Sequence, residues 1–373
     1  MDPDPVVVVG GGIVGASVAR HLSETDVPVT LYERDALGGG TTADSVAMFV
    51  RKGAALAERP ETAYRLRSRS WETYGPLVEE GVLEFSPIGA LYPAEGESRL
   101  DWLRGVADTL EGFGVRAEIL ESAELEQFGL VTDEFAGALS VPDDGYLDPG
   151  GIVQHFAGEA RAAGAHVETG SAVTDVFLED GRVTGVEVDG ERVPAGGVVN
   201  AAGPWAPAVD AMAGVSLPLR HNVGPILVLD HESDAPVPFV EFENGQYLRG
   251  EGRRQVFAGR YGAGYDGAER IDLEAARAVD EGFRLALGDL FERYLPDLVD
   301  AGVANEWVGV RTLTPDGRPF VGETSVEGYY AATGMNGLGV TLAPAVGEHL
   351  ASVVAGRGSD AEFREHLSPS RLR

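Results

Sequence analysis

The sequence predicts an α/β fold that opens on a Rossmann-like βαβ unit, and two observations predict it. The first is the opening run. Val6 to Val9 reads as a buried strand, Gly10-Gly11-Gly12-Ile13-Val14-Gly15 as a Gly-x-Gly-x-x-Gly turn, and about Ile13 to Ser23 as a helix. Val29-Thr30-Leu31-Tyr32-Glu33 then reads as a second strand, ending on a carboxylate. The second is a glycine-rich strand–helix junction near the far end, Thr333-Gly334-Met335-Asn336-Gly337-Leu338-Gly339-Val340-Thr341. In the opening unit each glycine has a mechanical job. Gly10 permits a tight turn, Gly12 lets backbone N–H groups approach a pyrophosphate, and Gly15 lets helix and strand pack closely. The helix directs its positive end at the phosphates, and Glu33 is placed to accept hydrogen bonds from an adenosine ribose. The motif alone does not say which dinucleotide is bound.

Downstream, Gly38-Gly39-Gly40-Thr41-Thr42 forms a loop rich in backbone and hydroxyl donors, suited to a second approach to a cofactor or to an ordinary surface turn. Between about 81 and 145, short strands (Val82 to Phe85, Gly89 to Tyr92) flank a helix from about Glu97 to Phe113. Gly145-Tyr146-Leu147-Asp148-Pro149-Gly150 leads into an amphipathic helix, Ile152 to Ala163, with apolar residues at helical spacing. A β-meander follows, with turns at Asp180-Gly181 and Asp189-Gly190. It ends in the apolar strand and small-residue turn Val198-Val199-Asn200-Ala201-Ala202-Gly203-Pro204-Trp205. Residues 216 to 304 read as strands with a long helix near Leu273 to Leu290, and a last helix runs from about Leu342 to Val354.

Composition narrows the possibilities. The chain has 373 residues, with 60 acidic against 29 basic side chains and a net charge of −31. Lys52 is its only lysine. An acidic surface of this kind repels nucleic acid and anionic membranes. The acidic, lysine-poor, alanine- and glycine-rich composition resembles proteins of salt-loving archaea, where molar salt screens self-repulsion; recruitment of a basic partner is the competing explanation. No apolar run reaches membrane-spanning length and the first residues are acidic, so a cytoplasmic protein is expected. With no cysteine and seven scattered histidines, disulfides, thiolate metal sites and cysteine nucleophiles are excluded and no metal site is expected.

Six motifs, taken in order, make the chain resemble the D-amino-acid oxidase family of flavoproteins, which includes glycine oxidase, sarcosine oxidase and D-amino-acid dehydrogenase. They are the N-terminal glycine motif with Glu33-Arg34, Gly40-Thr41-Thr42, Gly145 to Pro149, Val198 to Trp205, Gly309-Val310-Arg311 with Thr314 to Gly317, and Thr333 to Gly339. The resemblance implies FAD. It also implies an FAD-binding domain assembled from 1–80, 146–215 and 305–373, interleaved with a mixed-sheet substrate domain from 81–145 and 216–304.

Carried over residue by residue, the resemblance places Gly10, Gly12, Ile13, Val14 and Gly15 on the pyrophosphate, Glu33 at the ribose and Val173 at the adenine, with Arg34 also in the cofactor-binding set. Thr41, Thr42, Ala47 and Met48 lie along the ribityl chain and flavin ring, and Ala202, Gly203 and Trp205 join the cofactor set. Gly334, Met335, Asn336, Gly337, Leu338, Gly339, Val340 and Thr341 wrap the pyrimidine end. The implied catalytic set is Arg311, Tyr247, Arg51 and Met48. Arg311 matches the arginine that grips a substrate carboxylate, a task that suits its planar fork, and a structural salt bridge is its plain alternative. Tyr247 resembles an aromatic over the flavin, or is a core tyrosine; Arg51 resembles a second basic residue near the flavin, or is an exposed helix arginine. The lysine that sarcosine oxidases carry near the C-terminal glycines is replaced by Thr341, which puts sarcosine and rapid reaction with oxygen in doubt. With no cysteine and no histidine in a tethering position, the flavin is expected to be non-covalent.

The implied reaction is oxidation of a small amine or amino acid, with hydride leaving Cα–H for flavin N5 and the imine hydrolysed. Oxidation of a hydroxy acid or polyol phosphate, and a non-catalytic flavin-binding assembly protein, are the rival readings. The substrate, its stereochemistry, the electron acceptor and the oligomeric state are open at this level.

Overall fold

A computed structural model describes residues 4–268 and 271–372. Its first sheet has the Val6–Val9 strand near its centre. Val29–Glu33 and then His166–Thr169 lie to one side; Gly197–Asn200, Tyr329–Thr333 and Phe320–Glu323 lie to the other. All pairings are parallel except the last. The four valines show why this strand is unbroken and apolar. Side chains alternate across a strand, so Val6 and Val8 enter the core beneath the helices while Val7 and Val9 enter the one beneath the meander. Each such burial contributes roughly 1.5–3 kcal/mol.

The Ile13–Ser23 helix returns over this sheet, and Gly15 is what lets it do so. A β-carbon there would overlap the Gly10 carbonyl oxygen. The helix packs against Gly339–Val354, where Gly347 meets Ser17 and the Ser17 hydroxyl donates to the Ala343 carbonyl at 2.8 Å. Pro344 lies inside that second helix. Proline has no N–H for the carbonyl four residues back. The fully buried Tyr74 supplies the missing donor, its hydroxyl 2.8 Å from the Val340 oxygen.

The second sheet is mixed and has eight strands. Gly302–Leu313 forms one edge, followed by Arg220–Asp230, Gln255–Arg260, Gln246–Glu251, Phe239–Glu241, Ala90–Ala94, Gly137–Val141 and Glu118–Glu121. Helices Glu97–Gly112 and Glu281–Tyr294 bury apolar faces in the two cores of this sheet. Residues 305–373 therefore begin in the eight-stranded sheet and enter the six-stranded one at Phe320. The meander has the two expected turns, with positive φ at Asp180-Gly181 and Asp189-Gly190, the backbone a type I′ turn requires.

Two elements depart from expectation. The strand expected over Val82 to Phe85 is only Phe85–Ser86. The helix expected from Leu273 starts at Glu281, where the Asp280 side chain caps the Phe283 N–H at 2.8 Å. Upstream of it, the Glu274 carboxylate is engaged by the Trp205 indole N–H at 2.8 Å and by Arg34 at 3.3 Å. These contacts hold the chain across the first sheet. Among the described residues no helix is long and apolar enough to cross a membrane, and no three His, Cys, Asp or Glu side chains cluster as metal ligands.

Candidate functional site

A cavity of about 580 Å³ opens at the carboxyl ends of the first sheet and reaches across to the second. This is where ligands bind in open α/β sheets, between strands whose connections run to opposite sides. At one end Gly10 takes φ +106°, and a β-carbon on it would lie 2.6 Å from the Ala201 oxygen. Glu33 is braced there: one carboxylate oxygen accepts from Gly11 N–H at 2.7 Å and the other from Asp35 N–H at 2.8 Å. A carboxylate has about four acceptor positions, so sites for ribose hydroxyls remain. The Ile13–Ser23 helix presents its N-terminus to the cavity with no acidic residue in its first turn. Arg34 stacks over the Trp205 ring at 4.0 Å, and Val173, Ala202 and Gly203 complete this end.

The C-terminal junction delivers a second helix N-terminus beside the first, with a β-carbon on Gly339 only 3.6 Å from Ile13. Its loop is pinned by Asn336. The side chain accepts from Thr314 N–H at 3.0 Å, donates to Thr314 Oγ1 at 3.1 Å and to the Gly334 carbonyl at 2.6 Å. Asn336 itself has φ +52°, flanked by Gly334 and Gly337 in the same region. Gly334, Met335, Asn336, Gly337, Leu338, Gly339 and Val340 all line the cavity, as do Ala47 and Met48 opposite. Neither helix brings an acid to its first turn, so both offer positive potential to an anionic or electron-rich group.

The far end is built by the second sheet. Arg311 comes from the Gly302–Leu313 strand, Tyr247 from Gln246–Glu251, and Ile226 and Phe239 from neighbouring strands. The Arg311 guanidinium donates to the Arg260 carbonyl at 3.2 Å and sits 5.3 Å from the Tyr261 ring centre. It lies over Gly224, where a β-carbon would come within 2.6 Å of Arg311 Nη2. No carboxylate pairs with Arg311 among the described residues. Tyr247 packs its ring 4.9 Å from that of Tyr261, and burial pushes its phenol up.

Three expected residues do not line the cavity. Gly15 acts through helix–strand packing. Thr341 turns away and donates its hydroxyl to the Met48 carbonyl at 3.1 Å, tying the two walls together. Arg51 is neither at the cavity nor freely exposed, because its guanidinium is 2.7 Å from the fully buried Asp144. Burial pushes the Asp144 carboxyl up to about 6, and Arg51 opposes that shift. Thr42 lines the cavity, and its Oγ1 also accepts from Ile13 N–H at 3.1 Å, bracing the helix N-terminus. Thr41 donates to the Val310 carbonyl at 3.1 Å and so joins the first loop to the Arg311 strand.

Sequence reasoning missed Tyr261 and Asp44. Tyr261 follows Gly259, which pairs with Tyr247, so its place at the site depends on a register that no motif announces. Asp44 lines the cavity beside Gly309, and burial raises its carboxyl. Its position within the Gly40 to Met48 loop is the one signal that could have singled it out.

Residues 5–353 match the family model described as DAO, FAD dependent oxidoreductase. The chain belongs to that family. It is 31% identical over 377 residues to 4-methylaminobutanoate oxidase (formaldehyde-forming) of Paenarthrobacter nicotinovorans, covering 95% of this chain but only 44% of that longer relative. It is 29% identical to D-amino acid dehydrogenase of Methylobacterium sp. (strain 4-46), over 94% of this chain and 95% of that one. The solved structure of L-proline dehydrogenase from P. horikoshii has the same fold, with a TM-score of 0.86 at 24% identity over 100% and 98% of the two chains. Glycine cradles, a paired set of helix N-termini and a braced acidic residue at the end of the second strand are what the dinucleotide of this FAD-dependent family requires.

Proposed function

We propose that this protein oxidises a small amine-bearing carboxylate, an amino acid or N-substituted amino acid, using non-covalently held FAD. The observation that carries the reading is Arg311: a cavity-lining guanidinium with no carboxylate partner among the described residues, held in place from behind. A structural salt bridge, its plain alternative, is therefore absent from the described residues. The family supplies the cofactor, and the relatives named 4-methylaminobutanoate oxidase, D-amino acid dehydrogenase and L-proline dehydrogenase carry names in keeping with an amine-bearing carboxylate.

In this reading Glu33, the Ile13 helix N-terminus and the Gly334 to Val340 loop would hold the dinucleotide, with Ala47 and Met48 against its ring system. Bound there, FAD supplies the two-electron oxidation. Arg311 grips the substrate carboxylate with its remaining donors and fixes the orientation of the substrate. Ile226, Phe239 and Tyr247 form an apolar wall that excludes water from the reacting carbon. No histidine lines the cavity among the described residues and the chain has no cysteine, which supports a non-covalent cofactor.

The test is anaerobic bleaching of the flavin across D- and L-amino acids, glycine, N-methylated glycines, proline and hydroxy acids in high salt. Amino acids should bleach it; bleaching by hydroxy acids alone would replace the reading with its rival. Arg311→Met should raise the Michaelis constant for the active amino acid about 30- to 150-fold, the scale of a lost charged hydrogen-bond pair. An unchanged constant removes Arg311 from the anchor role.

A further inference from the structure

Lys52 is the only lysine in the chain, and it is buried, with 6% of its surface exposed. Every other basic side chain apart from histidine is arginine. Its ammonium lies 2.5 Å from Glu241 Oε1 and 3.8 Å from the centre of the Tyr92 ring. The second oxygen of Glu241 accepts from the Tyr261 hydroxyl at 3.2 Å. Tyr261 lines the cavity, 42% exposed, between Tyr247 and the Arg311 guanidinium. A buried cation, a carboxylate and a cavity-facing phenol thus form one chain ending beside the carboxylate anchor.

The chemistry of a hydroxyl makes this arrangement directional. A phenol has one proton and two lone pairs. Tyr261 donates its one O–H hydrogen bond to Glu241, so toward any other partner it can only accept. A phenol keeps its proton at neutral pH, and the adjacent Glu241 carboxylate favours that further, so the proton stays on Tyr261. Lys52 supplies the countercharge that a partly buried carboxylate needs, since an unpaired charge there costs several kcal/mol. The side of the cavity next to Arg311 therefore offers an acceptor backed by the carboxylate end of an ion pair, complementary to an ammonium and less so to a neutral hydroxyl.

We propose that Lys52 and Glu241 fix the Tyr261 hydroxyl as the acceptor for the amino group of a substrate whose carboxylate lies on Arg311. Tyr261 is the substrate-binding residue, and Glu241 and Lys52 are positioning residues that act through it. This rests on the amino-acid reading of the site and extends it to the recognition of nitrogen.

Calorimetric titration of the holoenzyme with two inert ligands tests it. 2-Aminoisobutyrate carries carboxylate and ammonium but has no Cα–H to lose, and pivalate places a methyl group where the ammonium would be. The wild type should prefer 2-aminoisobutyrate. Tyr261→Phe, which removes only a hydroxyl from a half-exposed ring, should cut that preference about tenfold with pivalate affinity nearly unchanged. Glu241→Gln and Lys52→Met should do the same, and Lys52→Arg should restore much of it. An unchanged preference in Tyr261→Phe, or a wild type that binds both ligands equally, overturns the proposal while leaving the anchor intact. Failure of the underlying reading has a different signature: Arg311→Met would then bind both ligands as the wild type does.

Discussion

At the scale of single residues, the site depends on what stands behind Arg311. Its guanidinium rests on Gly224, and a β-carbon there would press on Nη2 at 2.6 Å. Gly224→Ala should therefore displace the anchor without deleting it, raising the Michaelis constant about tenfold and lowering kcat less, as steady-state kinetics would show. A variant with wild-type constants would mean that the guanidinium tolerates the shift. Arg311 was singled out through the family resemblance carried by Gly309-Val310-Arg311, and the structure places it on the Gly302–Leu313 strand at the cavity wall. Tyr261, Glu241 and Lys52 were not. They come from three separate segments, and the pairing of Gln246–Glu251 with both Phe239–Glu241 and Gln255–Arg260, together with the folding of 49–55 against that sheet, makes them neighbours. Arg51 shows the converse. A basic residue next to an expected flavin site was claimed instead by the buried Asp144, a partner ninety-three positions away that no spacing rule reveals.

Among the elements, the Gly339–Val354 helix carries the sharpest test. Pro344 leaves the Val340 carbonyl without its intrahelical donor, and Tyr74 replaces it at 2.8 Å. Tyr74→Phe removes that hydroxyl and leaves a buried carbonyl unpaired, which should cost about 1–3 kcal/mol. Chemical denaturation would read it as a lower midpoint with unchanged slope; equal stability would mean the carbonyl finds another donor. Elements whose cause is local were legible in advance. The opening βαβ, the two Asp-Gly turns and the helix near Ile152 follow from glycine placement and periodicity. The Glu281–Tyr294 helix was expected too early because Leu273 to Ala278, ahead of its start, are good helix formers. What sets its start is the Asp280 cap together with the hold of Arg34 and Trp205 on Glu274, of which only the cap is written locally.

For the whole molecule, a net charge of −31 makes stability a question of salt. Surface ion pairs such as Arg69 with Glu348 and Arg65 with Asp360 offset only part of the excess acid. Raising salt from about 0.1 M to about 1 M shortens the screening length from about 10 Å to about 3 Å, so the thermal midpoint should rise over that range; a flat or falling midpoint would show that self-repulsion is not limiting. Acid should destabilise through histidine. Burial pulls His349 and His366 down to about 4, against 6.5 when unfolded. Groups depressed in this way contribute stability that is fully present above pH 6.5 and is lost as the pH falls toward 4. Asp144, raised to about 6, acts in the opposite sense and softens the loss. Denaturation midpoints at pH 7.5 and 5 should differ less in a variant with both histidines replaced by glutamine than in the wild type; equal differences would place the acid sensitivity elsewhere. All of these bear on a scaffold whose proposed function rests on a cavity lined at one end by Arg311. The most direct measurement is anaerobic titration of the holoenzyme with amino acids in high salt, followed by absorbance. At least one amino acid should bleach the flavin in the wild type, with about 30- to 150-fold weaker saturation in Arg311→Met. A flavin that no amino acid bleaches, or equal saturation in the two proteins, would contradict the proposed function.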